Sequence, residues 1–386
     1  MQHRVTHLTR AFLHPSTSFV RNQIVHCIKY LPSVVYTDKI ESDFFREITS
    51  RFPAYKAPHG TIGKFVCSRL LHFTPSDERK LIRWISETGT EVFHVHFGVE
   101  AILYSGIIRK LNIPAVVSFY GHDCTSFPAR YGGLGLTMLK RKVFFNPGVR
   151  LITAMSPDMY ADLVALGCPE EKLRVYYFGT ETSQFSMDRD YRDKDLVCFL
   201  VISHLEEKKG HRFLIDAFNR ASSMSERKIQ LKIIGNGALK GDILEQVALS
   251  GATNILMQDF VKYKSGEHLE SFKNADVFVH PSITAQNGNK EGIPGSIIEA
   301  MSSGLPVITT FHGGIPYVIS NGETGLLVEE NAVDQLAAAI VRLADNADLR
   351  RRLGTAAKSY AQTALDIHHK QMEIEQIYDE ISGGQS

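Results

Sequence analysis

Short runs of β-branched and aromatic residues alternate with longer amphipathic segments along most of this chain, and this alternation constrains its fold more than any other feature. In the first half the runs are RVTHL, SVVYT, VFHVHF, PAVVSFY and RLITAM. The pattern restarts with DLVCFLVIS and continues with IQLKIIG, NILMQ, DVFVH, PVITT and GLLVE. Strands that alternate with helices are typical of parallel sheets covered by helices on both faces. The sequence therefore predicts an α/β protein with two doubly wound sheets in series.

The helical segments between these runs set the predicted domain boundaries. We predict helices over residues 19–30, 99–111 and 157–166, and further helices that begin near Gly210, after Gly237 and near Gly295. Because the chain has 386 residues, more than the ~250–300 at which a single core stops growing, two domains are expected. We place them at 1–187 and 188–364, with the stretch SQFSMDRDYRDKD between the two sheets. Three consecutive helices follow Leu327, and the last, 365–386, is predicted to pack back on the first domain.

Composition narrows the class of protein. Hydrophobic residues make up 44% of the chain and charged residues 22%, as in ordinary soluble domains. The sequence has no apolar run long enough to span a membrane, and its first ten residues lack a signal-peptide core, so we expect a cytoplasmic protein. The cysteines stand singly, which argues against structural zinc. Because there is no arginine-rich arm, nucleic acid is not an expected partner.

The stretch EGIPGSIIE places Glu291 and Glu299 on either side of a predicted helix start. In open α/β sheets, ligands bind beyond the carboxyl ends of the strands, and a helix N-terminus attracts anions. Pro294 suits a helix start, and we expect the amides of residues 294–297 to hold a phosphate. Since ionised carboxylates only accept hydrogen bonds, the two glutamates are expected to bind hydroxyls that flank the phosphate, on a sugar and on a ribose.

A second strand end carries basic residues. His204 follows the run DLVCFLVIS, and Lys208 and Lys209 precede Gly210. Lys209 could add a point charge to a diphosphate. The alternative, a pair of solvated lysines at a helix start, stays open on charge pattern alone.

Together these motifs resemble those of the retaining glycosyltransferases of family four. The segment EGIPGSIIEAMSSGLPVI is similar to the E-x7-E motif of that family. Further segments have counterparts in the same order: STSFVRNQI, HVHFG, SFYGHD, AMSPDMYADLVALGCPEEKLRVYYFGTE, EEKKGHRFLIDAF, IIGNGA, ADVFVHPS and GGIPYVISNGETGLLV. An ordered set is more specific than a single motif. Within that family the chain most resembles the branch that builds bacterial exopolysaccharides, colanic-acid-like polymers and O-antigen.

The resemblance implies the GT-B fold, in which two Rossmann-like domains face each other across a cleft and C-terminal helices cross back. It also implies the transfer of a sugar from a nucleoside-diphosphate sugar with retention of anomeric configuration. Glu291 matches the glutamate beside the donor sugar, Glu299 the ribose glutamate and Lys209 the diphosphate lysine. The loop around the sugar and diphosphate matches Gly292, Ile293, Pro294, Gly295 and Ser296, and the base pocket matches Gly235, Gly237, Phe260 and Val261. No metal and no other cofactor is expected, because the helix start and the lysine stabilise the leaving diphosphate.

The sequence departs from the family pattern at several positions. His204 stands where an arginine is common, and Tyr317 where a glutamate usually follows GGIP. Because histidine lacks the full charge and the planar fork of arginine, we expect diphosphate binding to depend mainly on Lys209 and the helix start, with a contribution from His204. The run Tyr120-Gly121-His122-Asp123 has tyrosine at the position of a family histidine. We expect Tyr120 to line the donor site, and His122 and Asp123 to face the cleft, with His122 near the reacting centre; a surface position for His122 is the alternative.

Three further expectations concern the first domain. Ser16 and Ser18 occupy the loop where relatives carry glycines near the donor phosphate, and we expect them to bind it. His94 and His96 alternate along one predicted strand, so we expect only one to face inward, and we predict no metal site. Residues 139–150, LKRKVFFNPGVR, mix apolar and basic side chains and could dock on an anionic membrane surface; a basic surface helix is the alternative.

The leading hypothesis is a glycosyltransferase that uses UDP-glucose or UDP-galactose and a saccharide or lipid-linked acceptor, in the cytoplasm or on the inner face of its membrane. A GT-B nucleotide-sugar epimerase and a catalytically weak nucleotide-sugar-binding subunit remain as alternatives. A NAD dehydrogenase is disfavoured, because neither half opens with a strand followed by G-x-G-x-x-G.

Overall fold

Two structural units make up the chain in the computed structural model, which describes residues 3–12, 18–39, 43–58, 60–130 and 132–383. Unit 1 comprises Met1–Gly179 and Ile367–Ser386, and unit 2 comprises Thr180–Asp366. The chain therefore enters unit 2 once and returns to unit 1 for its last helix.

The two crossings differ from the predicted boundaries at residues 187 and 365. The stretch predicted to link the sheets packs on unit 2: the Arg189 guanidinium donates hydrogen bonds to the carbonyls of Phe272, Ala275 and Ser303 at 2.6–2.7 Å. The Tyr191 hydroxyl donates to the carbonyl of Gly304 at 2.6 Å. Because these side chains are anchored in unit 2, the division falls before them.

Fifteen strands are present in the described part of the chain. They are β1 His3–Leu8, β2 Ala11–Phe12, β3 Tyr30–Tyr36, β4 Asp38–Lys39, β5 Ala54–Lys56, β6 Val92–His96, β7 Ala115–Ser118, β8 Val149–Ala154, β9 Leu173–Val175, β10 Leu196–Ile202, β11 Lys228–Ile234, β12 Ile255–Gln258, β13 Val277–His280, β14 Val307–Thr310 and β15 Leu326–Val328. All the predicted strands are present, whereas the short strands β2, β4, β5 and β9 were not predicted.

The helices fill the connections between these strands. They are α1 Ser18–Val25, α2 Asp43–Arg51, α3 Gly60–Leu70, α4 Pro75–Thr88, α5 Gly98–Leu111, α6 Leu134–Leu139, α7 Pro157–Ala165, α8 Thr182–Phe185, α9 His211–Met224, α10 Lys240–Ser250, α11 Gly266–Lys273, α12 Gly295–Ser302, α13 Val333–Ala344, α14 Ala347–Ala364 and α15 Ile367–Ser382. A π-helical turn, Lys140–Phe144, follows α6.

The predicted helix over residues 19–30 is too long. Helix α1 ends at Val25, and Tyr30 already begins β3. The backbone N–H groups of Ile28 and Lys29 donate to the Glu375 carboxylate of α15, both at 2.7 Å. A contact from the far end of the chain therefore ends this helix, which local sequence cannot reveal.

Both large sheets are parallel. In unit 1 the strand order is β5-β3-β1-β6-β7-β8-β9, and in unit 2 it is β12-β11-β10-β13-β14-β15. Strand β6 and strand β13 are buried along their whole length, as expected when helices cover both faces of a sheet. In unit 2 the core lies between β10 and helices α9 and α13, where Phe199, Phe218 and Ile340 are fully buried.

Candidate donor-binding site

The predicted site of unit 2 lies where the winding of its sheet reverses. Strand β10 has β11, the next strand of the chain, on one side and β13 on the other. Such a switch point opens a crevice beyond the carboxyl ends of the strands. The loops that follow β10, β13 and β14 carry the predicted residues, so the fold brings them to one edge.

Close backbone packing joins these loops. Gly210 has φ +66°, and a side chain there would meet the carbonyl of Pro281 at 2.0 Å. Gly235 and Gly237 are equally restricted, since an added Cβ would lie 2.1 Å from the Ser203 carbonyl and 2.6 Å from that of Leu205. The two glycines predicted for the base pocket thus have a packing role of their own.

Glu291 pairs with both lysines of the β10 loop. Its Oε1 lies 2.8 Å from Nζ of Lys209 and 3.1 Å from Nζ of Lys208. The three side chains are only 9%, 13% and 20% exposed, respectively, so the lysines are not the solvated pair of the alternative interpretation. Burial acts to raise the pKa of Glu291, but the charges of Lys209 and Lys208 outweigh burial and hold that pKa well below its usual range. Glu291 is therefore ionised at neutral pH.

The start of α12 offers fewer backbone N–H groups to an anion than the sequence predicts. Pro294 is the residue before the helix and has no N–H, and the N–H of Ile297 donates to the Pro294 carbonyl at 3.1 Å. This corrects the expectation that the amides of residues 294–297 all face an anion. The N–H groups of Gly295 and Ser296 remain, because first-turn amides have no acceptor within a helix. An added Cβ at Gly295 would meet no atom within 4 Å.

The rest of this loop is buried. Gly292, Ile293 and Pro294 are buried, whereas Gly295 and Ser296 are partly exposed. The Gly292 carbonyl accepts a hydrogen bond from the N–H of Gly314 at 3.0 Å. The EGIPGS turn is thus partly exposed at both ends, at Glu291 and at the helix start, and buried between them.

Glu299 lies one turn into α12 and is 7% exposed. Burial raises its pKa to about 7, against the opposing effects of a hydrogen bond from Tyr263 and the charge of Lys264. Lys264, in turn, pairs with Glu181. Tyr263 and Lys264 were not singled out from the sequence, although they follow the predicted residues Phe260 and Val261 closely.

His204, which replaces the common family arginine, packs against Phe260. The two rings meet edge to face with centroids 4.8 Å apart. Phe260 is 43% exposed, and the neighbouring Val261 is partly exposed. His204 therefore lies beside one of the predicted base-pocket residues, Phe260.

Tyr120 of unit 1 lies at the end of β7 and belongs to a polar network. Its hydroxyl lies 2.9 Å from Nδ1 of His96, and Nε2 of Gln23 donates to it at 3.4 Å. The rings of Phe19 and Phe97 flank it, with centroids 4.6 and 4.8 Å away. Phe97 has φ +79°, which a non-glycine residue rarely adopts.

Asp123 is buried, contrary to the prediction that it faces the cleft. It is fully buried, and Oδ1 accepts hydrogen bonds from the N–H groups of Tyr120 and Gly121 at 3.2 and 3.0 Å. Its Oδ2 accepts from the N–H of Gly98 at 2.9 Å, at the start of α5. Both oxygens are thus engaged by backbone amides, so Asp123 shapes the turn. His122 is partly exposed beside it.

His94 and His96 both face the interior, which corrects the expectation for only one of them. Residues two apart on a strand share a face, and their rings stack at 4.2 Å between centroids. His7 of β1 stacks on His96 at 5.2 Å. All three are fully buried, and burial lowers their pKa values, that of His7 to about 3.

The ligand atoms of this histidine trio lie within 4.8 Å of one another, a spacing that a metal ion could bridge. Hydrogen bonds already engage the rings, however. His7 Nδ1 lies 2.9 Å from His96 Nε2, and the two nitrogens of His94 lie 2.6 Å from the Tyr378 hydroxyl and 2.8 Å from that of Ser118. This geometry favours a neutral hydrogen-bonded network.

Two predictions for unit 1 remain, the phosphate-binding serines and the membrane-docking segment 139–150. Ser16 lies outside the described residues, and Ser18 is the first residue of α1. In the segment 139–150, Leu139, Val143 and Phe144 are fully buried, and only Phe145 among its large apolar residues is strongly exposed. Most of its apolar side chains therefore pack in the core, and Phe145 is the large apolar side chain that the segment leaves exposed. Among the described helices, none combines the length and apolarity needed to cross a bilayer.

Two family models match the chain in succession. Residues 33–184 match Glycosyltransferase Family 4, and residues 184–360 match Glycosyl transferases group 1. The crystal structure of HepE from Anabaena in complex with UDP superposes with a TM-score of 0.78 and 16% identity, over 98% of this chain and 100% of that one. The predicted GT-B fold, with two parallel-sheet Rossmann-like units, is confirmed.

The chain is also similar in sequence to curated glycosyltransferases. The amylovoran biosynthesis glycosyltransferase AmsK of Erwinia amylovora is 32% identical over 76% of this chain and 70% of its own length. The putative colanic acid biosynthesis glycosyltransferase WcaL of Salmonella typhimurium is 32% identical over 70% of this chain and 66% of its own length. The chain belongs to the family of group 1 and Family 4 glycosyltransferases.

Proposed function

We propose that this protein is a retaining glycosyltransferase of bacterial exopolysaccharide biosynthesis. It transfers a sugar from a nucleoside-diphosphate sugar, first of all UDP-glucose or UDP-galactose, to a saccharide or lipid-linked acceptor. The names of AmsK and WcaL support the pathway class, and the UDP bound to HepE supports the nucleotide. The observation that carries the proposal is the ionised Glu291 that pairs with Lys208 and Lys209 beside the start of α12.

The charges at this edge suit a departing diphosphate. When the anomeric bond breaks, negative charge develops on the leaving phosphate oxygen, and Lys209, Lys208 and the amides of Gly295 and Ser296 can stabilise it there. The lysines then exchange their contact with Glu291 for the phosphate. Because these groups are positioned before the donor binds, little reorganisation is needed during the reaction.

Glu291 serves as an acceptor for hydroxyls of the donor sugar. A carboxylate with a lowered pKa is a poor proton donor, so Glu291 acts neither as a general acid nor as an efficient base. The leaving phosphate oxygen instead takes the proton of the acceptor hydroxyl on the same face of the sugar. This route requires no dedicated base and gives retention of configuration.

Glu299 binds the ribose diol of the nucleotide. Its burial means that it gains most from a ligand that donates hydrogen bonds to its charged form. The Tyr263 hydroxyl donates a hydrogen bond to Glu299. The hydroxyls of the ribose diol would donate to the same carboxylate, beside Tyr263 or in its place. Gly235, Gly237, Phe260 and Val261 form the base pocket, with His204 beside it.

Incubation of the protein with a panel of nucleotide sugars tests this function. We expect slow release of UDP by hydrolysis, faster release with an added saccharide acceptor, and an α-linked product from an α-linked donor by NMR. Interconversion of sugars without UDP release would indicate an epimerase, and binding without turnover a catalytically silent subunit. Turnover abolished by a chelator and restored by a divalent metal would contradict the metal-independent mechanism.

The cytoplasmic location and the peripheral membrane contact are also proposals. A lipid-linked acceptor would bring the protein to the inner membrane face, and the segment 139–150 exposes Phe145 together with the basic residues Arg141 and Arg150. Sedimentation with anionic vesicles, compared with the Phe145→Ser variant, tests this contact. Equal sedimentation of the two proteins would show that the segment makes no contribution.

A further inference from the structure

We propose that His312 is a positioning residue for the donor site, held in one neutral tautomer by Glu330 so that it fixes the backbone of Glu291. The inference rests on the proposed function, because it assigns a purpose to the placement of Glu291. His312 does not contact the donor; it acts through the residue that does.

The geometry around His312 is fully specified. Its side chain is completely buried in the loop after β14. The backbone N–H of Glu291 donates to His312 Nε2 at 2.9 Å. On the other side of the ring, Nδ1 lies 2.6 Å from Oε1 of Glu330.

These two contacts allow only one neutral form of the ring. A backbone N–H can only donate, so Nε2 must present its lone pair to Glu291. An ionised carboxylate can only accept, so Nδ1 must carry the proton that is donated to Glu330. Burial acts to raise the pKa of Glu330, but the N–H of Thr284 and the His312 ring outweigh it and lower that pKa, so Glu330 is ionised at neutral pH. The opposite tautomer would set two donors against each other at Glu291 and two acceptors at Glu330.

Glu330 itself is tied to the loop after β13. Its Oε2 accepts from the N–H of Thr284 at 2.6 Å, and its Oε1 lies 3.2 Å from the Thr284 hydroxyl. Glu330 thus connects the beginning of the loop after β13, Thr284, with its end, Glu291, through the ring of His312. This chain of hydrogen bonds spans the turn that presents the sugar-binding carboxylate.

Backbone packing supports the same arrangement. Gly314 donates its N–H to the Gly292 carbonyl at 3.0 Å. Gly313 has φ +49°, and an added Cβ would lie 2.2 Å from the Glu291 carbonyl. The segment 312–314 therefore lies directly against the turn at 291–292, and a shift of His312 would move Glu291 with it.

Two substitutions of His312 separate its acceptor from its donor. In His312→Gln the side-chain oxygen reaches about as far as Nε2 and can still accept from Glu291. In His312→Asn the amide nitrogen stands near Nδ1 and can still donate to Glu330, but the acceptor is lost. Neither variant keeps the ring, and Asn is one methylene shorter than Gln, so the free energy of unfolding is measured for both variants to separate a loss of packing from the loss of the acceptor.

We expect His312→Asn to lower kcat for the nucleotide sugar about tenfold, as for loss of one hydrogen bond to a positioned group, and His312→Gln to lower it about threefold or less. Neither variant should weaken the binding of free UDP, because free UDP lacks the sugar that Glu291 contacts. Equal losses of kcat in the two variants, or a matching loss of UDP affinity, would overturn the inference and leave a packing role.

The tautomer can be measured without any substrate. In long-range ¹H–¹⁵N spectra, the His312 signals, identified by their absence in His312→Gln, should show a proton on Nδ1 and a bare Nε2. A proton on Nε2 would overturn the inference even if the enzyme turns over its donor. Conversely, a wild-type protein that neither binds nor turns over any nucleotide sugar would refute the proposed function. The positioning role of His312 in donor binding would then be refuted too, whichever tautomer is measured.

Discussion

The carboxyl edges of the two sheets differ in the charge of their polar side chains. In unit 1 the histidine trio and Tyr120 bond to one another as neutral groups, and burial lowers the pKa values of the histidines. In unit 2 the edge carries full charges, with Glu291 ionised between two lysines. A neutral network gains little from an anionic ligand, whereas a charged one can exchange partners with it. On the proposed function, unit 2 therefore supplies the charged groups that bind the donor diphosphate.

Removal of Lys209 should give the largest change. We expect Lys209→Ala to lower turnover of the nucleotide sugar by about 10²- to 10³-fold, because a preorganised charge at the leaving group is lost. Lys208→Ala is the matched control; Lys208 lies farther from Glu291 and is more exposed, so we expect about a tenfold loss at most. Steady-state kinetics on both variants decide the point, and a larger loss from Lys208→Ala would exchange their roles.

Glu299→Gln should give an intermediate effect that depends on pH. The folded pKa of about 7 exceeds the ordinary value of 4.5, so between these values the folded protein holds a proton that the unfolded chain has released. The free energy of unfolding therefore falls as the pH rises through this window, by roughly 3 kcal/mol in total. Since Gln mimics the neutral form, the variant should be more stable than the wild type at pH 8 and equal to it near pH 4, as measured by denaturant unfolding.

The same residue predicts how donor binding responds to pH. A ribose diol requires the carboxylate form, so the affinity of the wild type for UDP-glucose should weaken as the pH falls below about 7, by at most about tenfold per pH unit. Glu299→Gln should bind more weakly and without this dependence. Calorimetric titration from pH 5.5 to 8 measures both, and a pH dependence shared by the variant would remove Glu299 from the ribose site.

Tyr120→Phe should give the smallest change in function. The substitution leaves Nδ1 of His96 without its partner, at a cost of about 1–3 kcal/mol in the free energy of unfolding. The ring is retained, so we expect donor affinity within about twofold of the wild type. A tenfold loss of donor affinity at unchanged stability would place a functional hydroxyl in unit 1 and break the comparison.

Much of this architecture could be predicted from the sequence, because strand runs and glycine-rich strand ends are local signals. The strands of the second half, the pair Glu291 and Glu299, and Lys209 all follow from such patterns. What the sequence did not reveal depends on distant partners. Glu375 ends helix α1, three backbone amides engage Asp123, and Glu330 sets the tautomer of His312.

One other error had a simpler cause. The opposite orientation expected for His94 and His96 contradicted the period of two along a strand. For residues 139–150 the sequence leaves a membrane-docking face and a basic surface helix open, because composition alone cannot distinguish apolar residues that pack in the core from those that stay exposed. Leu139, Val143 and Phe144 pack in the core, whereas Phe145 is exposed.

The most direct test of the central claim compares free UDP binding and sugar transfer in Glu291→Gln. Because Glu291 competes with phosphate for both lysines, its neutralisation should strengthen UDP affinity, by about tenfold for one released charge contact. Loss of the sugar-binding carboxylate should at the same time lower turnover about a hundredfold. Wild-type turnover, or a parallel loss of UDP affinity and turnover, would contradict the assignment of Glu291 to the donor sugar.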